Sequence, residues 1–299
     1  MYKCKATAFS AIKITVVVYV YCVIFGILIY YRKDNFQMKN KIKVVIILGI
    51  MVGIATLAFW IVNNEDLKIK GKFFVYETQQ YLAFQNADEV SFSFVIIDGT
   101  SRDKKNEEIL NGIMLLDKNG NQYAVDEVEK NELEKNRVYS VYSLNIKKAD
   151  LPKGETVFQK VIMDGKELEL GNVVIDIVEV KEKNVRDNLE LGWFPFSSES
   201  DYLFSIKSDS NDISVTKILY DLKGNKKYKE VELNQSLKKG KEEELSFEVD
   251  AFVEGHCSMR PIIELKKGEN IYHILPTCET TSFHGLTKEE ILEYIERMK

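Results

Sequence analysis

A chain of 299 residues is long enough for two globular domains of ordinary size, or for one together with a membrane region. Its 41 basic and 46 acidic side chains are unevenly spread: residues 1–63 carry Lys3, Lys5, Lys13, Arg32, Lys33, Lys39, Lys41 and Lys43 against the single acid Asp34, which leaves the remainder strongly acidic. An acidic body argues against nucleic acid as a partner, because phosphate binding draws on clustered positive charge, and only four prolines and 16 glycines leave little room for long disordered linkers.

Two apolar runs open the chain: ITVVVYVYCVIFGILIYY (residues 14–31) and VVIILGIMVGIATLAFWIV (residues 44–62), both free of charge. As helices rising 1.5 Å per residue, each spans roughly 27–30 Å, the thickness of a hydrocarbon core. Tyr30, Tyr31 and Trp60 fall near the predicted interfaces, where amphipathic rings are favoured. A cleaved signal peptide is the alternative for the first run, but YYRKDNF offers no small-residue cleavage site. The connecting loop, residues 32–43, holds five basic residues, whereas NNED after the second run holds none. The positive-inside rule therefore keeps the loop cytoplasmic and both termini outside. Gly49 and Gly53 form a Gly-x-x-x-Gly pair that would permit a close helix approach.

From Lys68 onward the hydrophobic period changes to two. FFVYE, VSFSFVIID, VYSVYSLNI, VVIDIVEV, YLFSIKS and ELSFEVDAFV are β-branched or aromatic and largely alternating, and DKNGN, LPKG, MDGK, LKGN and LKKG supply turns between them. Short strands broken by turns at this spacing predict antiparallel sandwiches of the immunoglobulin-like kind, one or two in number. MLLDKNGNQY (residues 114–123) and ILYDLKGNKKY (residues 218–228) resemble each other, with Asp117 and Asp221, Gly120 and Gly224, and Asn121 and Asn225 in matching places. A domain-sized offset of this kind is expected of tandem modules. The predicted organisation is a two-helix membrane hairpin over 1–66, sandwich modules over 67–184 and 185–285, and a C-terminal helix over 286–299.

That last segment, LTKEEILEYIERMK, has Thr287 and Glu290 at capping-box spacing and Ile291, Tyr294, Ile295 and Met298 along one face. The amphipathic helix docks on its own domain or receives a partner. Trp193, Phe194 and Phe196 in LGWFPF form the most conspicuous aromatic cluster, a second candidate partner surface or a core element at a domain edge.

The stretch HCSMRPIIELKKGENIYHILPTC (residues 256–278) holds two of four cysteines and two of three histidines. Read as a hairpin turning at Lys267-Gly268, it sets Ile263 opposite Tyr272, Met259 opposite Pro276 and Cys257 opposite Cys278. The two cysteines would then face each other on an apolar face and could form a disulfide in an oxidising compartment. The same register separates His256 from His273, which disfavours a shared transition metal and a Cys–His nucleophile alike. No P-loop, dinucleotide, nucleophile-elbow or zincin motif occurs, so no cofactor, metal or catalytic residue is expected. The sequence therefore points to a membrane-anchored, mainly-β surface protein that binds, scaffolds or serves a membrane or surface protein partner without catalysis. The alternatives are a ligand sensor coupled through the spans, and a surface hydrolase whose site is assembled across loops.

Overall fold

The computed structural model describes residues 49–51, 53–55, 65–100, 112–135, 138–148, 150–180, 185–193, 201–249, 256–276, 279–281 and 286–298. The first predicted membrane run and most of the second, with the loop between them, lie outside these residues. Within the second run, residues 49–51 and 53–55 are helical, and Ile50 and Ile54 are more than half exposed one turn apart. A Cβ added at Gly49 or Gly53 would meet nothing described within 4 Å. Among the described residues no helix is long and apolar enough to cross a membrane.

One compact unit runs from Gly71 to Gly285 and is built from four β-sheets among the described residues, three antiparallel and one mixed. Its outer four-stranded sheet has the order β1 (Phe73–Tyr76), β3 (Ser91–Asp98), β7 (Ser140–Lys147), β6 (Glu127–Lys135). The central sheet has seven strands: β18 (Thr280–Thr281), β15 (His256–Arg260), β2 (Thr78–Phe84), β9 (Lys166–Ile177), β8 (Gly154–Met163), β4 (Met114–Asp117) and β5 (Gln122–Ala124), in that order. Two further sheets follow, β13 (Lys229–Ser236), β12 (Ile213–Tyr220), β16 (Ile262–Lys267), β17 (Asn270–Ile274), and β10 (Leu189–Trp193), β11 (Asp201–Ser208), β14 (Glu242–Glu248).

The central sheet is apolar on both faces, which explains its continuous hydrophobic runs. Leu82, Phe84, Phe158, Val173 and Ile175 join Phe92, Phe94, Tyr142 and Leu144 in one core. Their neighbours on the opposite face, Tyr81, Ala83, Val157 and Val174, join Tyr202, Phe204, Ile218 and Ile263 in another. Alternate side chains of each strand thus feed different cores, as a period of two demands.

The internal resemblance in the sequence has a counterpart in the topology. The order β5-β4-β8-β9 in the first half matches β13-β12-β16-β17 in the second, and β1-β3-β7 matches β10-β11-β14. The two similar turns are built alike. The Asp117 carboxylate accepts from the N–H groups of Asn119 and Asn121, and that of Asp221 from Lys223 and Asn225. Gly120 and Gly224 both adopt positive φ, at 83° and 58°, where glycine carries no Cβ penalty. The halves are also interlocked. β15 runs parallel to β2 in the central sheet, turns at Pro261, and continues as β16 in the second half's sheet.

A second compact unit comprises residues 1–70 and 286–299. Its C-terminal helix (Lys288–Arg297) begins with the expected capping box, Thr287 accepting from Glu290 N–H while its own N–H donates to Glu290 Oε2 at 2.7 Å. Lys288 Nζ reaches Asp66 Oδ1 at 2.5 Å and Glu65 Oε2 at 3.3 Å, and Lys68 Nζ reaches Glu296 at 3.0 Å. The helix is therefore tied to the segment that directly follows the second apolar run.

Candidate functional site

The cysteine- and histidine-rich stretch folds differently from the sequence expectation. The hairpin β16–β17 turns at Gly268-Glu269, with Lys267 opposite Asn270, Leu265 opposite Tyr272 and Ile263 opposite Ile274. That is a slip of two residues, so every side chain keeps its expected face. The larger correction is at Pro261. The hairpin does not continue into His256–Arg260, which instead pairs with β2 and with Thr280–Thr281. The register that set Cys257 opposite Cys278 is thus not formed. Cys257 is buried in β15, and Cys278 lies outside the described residues. Burial pushes the Cys257 thiol up to about 12, far from a thiolate nucleophile at neutral pH.

His256 belongs to a buried polar seam that the sequence did not reveal. Its Nδ1 lies 2.9 Å from Thr78 Oγ1 and 3.3 Å from Gln80 Nε2, and Gln80 Nε2 also donates to the Ser93 carbonyl at 2.5 Å. The seam has a structural cause. After Tyr76 the chain leaves β1 and crosses to the central sheet as β2, so β3 beyond Val95 loses its β1 partner. Gln80 supplies a donor to the Ser93 carbonyl there, and buried backbone acceptors require one. Burial holds the His256 imidazole down to about 4 and therefore neutral. His273, by contrast, is partly exposed on β17, 3.6 Å from Glu264. The two histidines sit in different sheets. Among the described residues no group of three His, Cys, Asp or Glu side chains is placed to hold a metal ion.

A cavity of about 410 Å³ opens beside the same stretch of β3. Ser91 and Ser93 line it from β3, Glu127 and Glu129 from β6, Asn145 and Lys147 from β7, and Glu279 closes one side. Lys147 is engaged with Glu127 at 2.6 Å. Burial pushes Glu279 up to about 7 against the pull of Arg260, and its Oε2 has no hydrogen-bond partner among the described residues. The lining offers hydroxyls, an amide and carboxyls, groups that hold a polar or cationic surface by hydrogen bonds.

The proposed partner-binding residues fall in several places. Ile291, Tyr294 and Ile295 are buried, and Met298 is exposed. Trp193 ends β10, its backbone opposite Phe204, while Phe194 and Phe196 lie outside the described residues. Compared with known proteins, the chain matches no family model and no curated protein.

Proposed function

We propose that this protein is a membrane-anchored, extracytoplasmic tandem of immunoglobulin-like sandwiches that binds a membrane or surface protein partner without catalysis. The strand orders β1-β3-β7-β6 over β9-β8-β4-β5 correspond to the A-B-E-D and G-F-C-C′ sheets of such sandwiches. β2 lying parallel to β9 adds a further strand at the G edge. The observation that carries the reading is the strand crossing at Pro261: by belonging to both halves, residues 256–267 fix two sandwich modules as one surface for display. Such a surface suits recognition, and the polar cavity beside β3 is the natural contact point on it.

A second reading, a sensor coupled to the spans, is favoured by one contact. The C-terminal helix returns to residues 65–69 through Lys288 and Lys68, so the end of the chain is attached where the second apolar run finishes. Crosslinking in native membranes followed by affinity purification tests the binding reading. A stoichiometric protein partner supports it, and recovery of the chain alone as a monomer counts against it.

A further inference from the structure

The apolar run of β9 is interrupted by one acid, Asp176, and the register sets it directly opposite Glu155 of β8. Both project from the face that carries Val157 and Val174 into the second core. Directly opposed residues have Cβ atoms about 4.5–5.5 Å apart, and like charges there are destabilising. Asp176 is 1 % exposed, Glu155 is half-buried, and Glu155 Oε2 finds no hydrogen-bond partner among the described residues.

Each packed element presents something to this pair. From β2, Tyr81 donates its hydroxyl to Asp176 Oδ2 at 2.9 Å. From the 221–228 turn, Tyr228 donates to the same oxygen at 2.6 Å, and the Lys226 N–H donates to Glu155. That turn also brings a third carboxylate, Asp221, already saturated by the N–H groups of Lys223, Asn225 and Lys227. From the 117–121 turn comes Lys118, whose Nζ is occupied by the Gly224 carbonyl at 2.5 Å. Among the described residues, three acids therefore meet one committed cation.

We propose that Glu155 and Asp176 hold a shared proton and form an acid-closed latch between the 221–228 turn and the central sheet. With the proton in place, one carboxyl donates to the other and the Asp221 turn seats against a pair carrying a single charge. Loss of that proton to solvent leaves two opposed carboxylates facing Asp221, and the turn withdraws. Burial pushes both carboxyls above their ordinary values, with the charge of Asp221 adding to the rise and the tyrosine hydroxyls pulling Asp176 part of the way back. Tyr81 and Tyr228 are themselves raised by burial and by Asp176, so they remain donors throughout the neutral range. A folded value above the unfolded one stabilises fully at low pH and is lost as pH rises through the folded value.

Hydrogen exchange of the full chain in detergent micelles, from below the unfolded carboxyl values of about 4 up to about pH 8 and corrected for intrinsic rates, reads the latch locally. Protection of the 221–228 amides is expected to fall about tenfold for each pK unit by which the pair is raised, while the similar 117–121 turn stays level. Glu155→Gln, which cannot ionise and can still donate to Asp176, is expected to flatten the profile and keep the turn protected at pH 8. A level wild-type profile overturns the proposal, as does an unchanged slope in Glu155→Gln. If that variant does not fold, the wild-type profile alone decides.

Discussion

The two similar turns provide an internal experiment on what holds the 221–228 turn to the central sheet. Gly120 and Gly224 occupy the same place in the same turn and both have positive φ. Their surroundings differ. Among the described residues a Cβ at Gly120 meets nothing within 4 Å, whereas one at Gly224 would overlap Val157 Cγ2 and press on Val174 Cγ2 at 3.2 Å. Gly120→Ala therefore carries only the backbone term, about 1 kcal/mol. Gly224→Ala adds overpacking against a β-branched residue on a rigid strand, a further 1–3 kcal/mol or so. For a unit of this size each kcal/mol shifts the melting midpoint by about 2–4 °C. Urea and thermal unfolding of both variants are expected to separate them by about 1–3 kcal/mol on these terms. Val157→Ala should partly rescue Gly224→Ala, the double mutant falling short of additivity by about 1–2 kcal/mol, as touching residues do. Equal destabilisation by the two glycine substitutions, with no coupling to Val157, would refute the packing of the 221–228 turn on the central sheet.

Thr287→Ala removes the N-cap acceptor of the C-terminal helix and is expected to cost about 1 kcal/mol, read as increased exchange of the 288–297 amides. His256 is neutral in the fold and held down to about 4. Its contribution is present above its unfolded value of about 6.5 and is lost as pH falls toward 4, roughly 2–3 kcal/mol by pH 4.5. Urea midpoints of wild type and His256→Gln at pH 7 and pH 4.5 measure it; His256→Gln should lose less on acidification.

Much of the β architecture was legible because strands facing a core on one side alternate, as VSFSFVIID does. The two Asp-x-x-Gly-Asn turns were legible because saturating an Asp carboxylate with successive N–H groups requires those residue types at that spacing. Other elements left little trace. β2 reads TQQYLAF, whose polar first half is buried in the His256 seam through side-chain pairing invisible in one dimension. β6 reads EVEKNELEK, an exposed edge strand whose charges conceal its period and protect the edge. The hairpin register was two residues off because Gly268 can serve either position of a two-residue turn. What the sequence could not convey is that Pro261 passes the strand from one sheet to another. Asp176, an acid within VVIDI, lies on the face that carries Val174 into the second core.

The proposed extracytoplasmic β body on a membrane hairpin is open to a direct test by sided labelling. Single cysteines placed at Asn35, in the basic loop, and at Glu269, in the exposed β16–β17 turn, are treated with a membrane-impermeant maleimide on intact cells. The account predicts that Glu269→Cys labels at once and Asn35→Cys only after permeabilisation. Labelling of Asn35→Cys from outside, with Glu269→Cys protected, would contradict it.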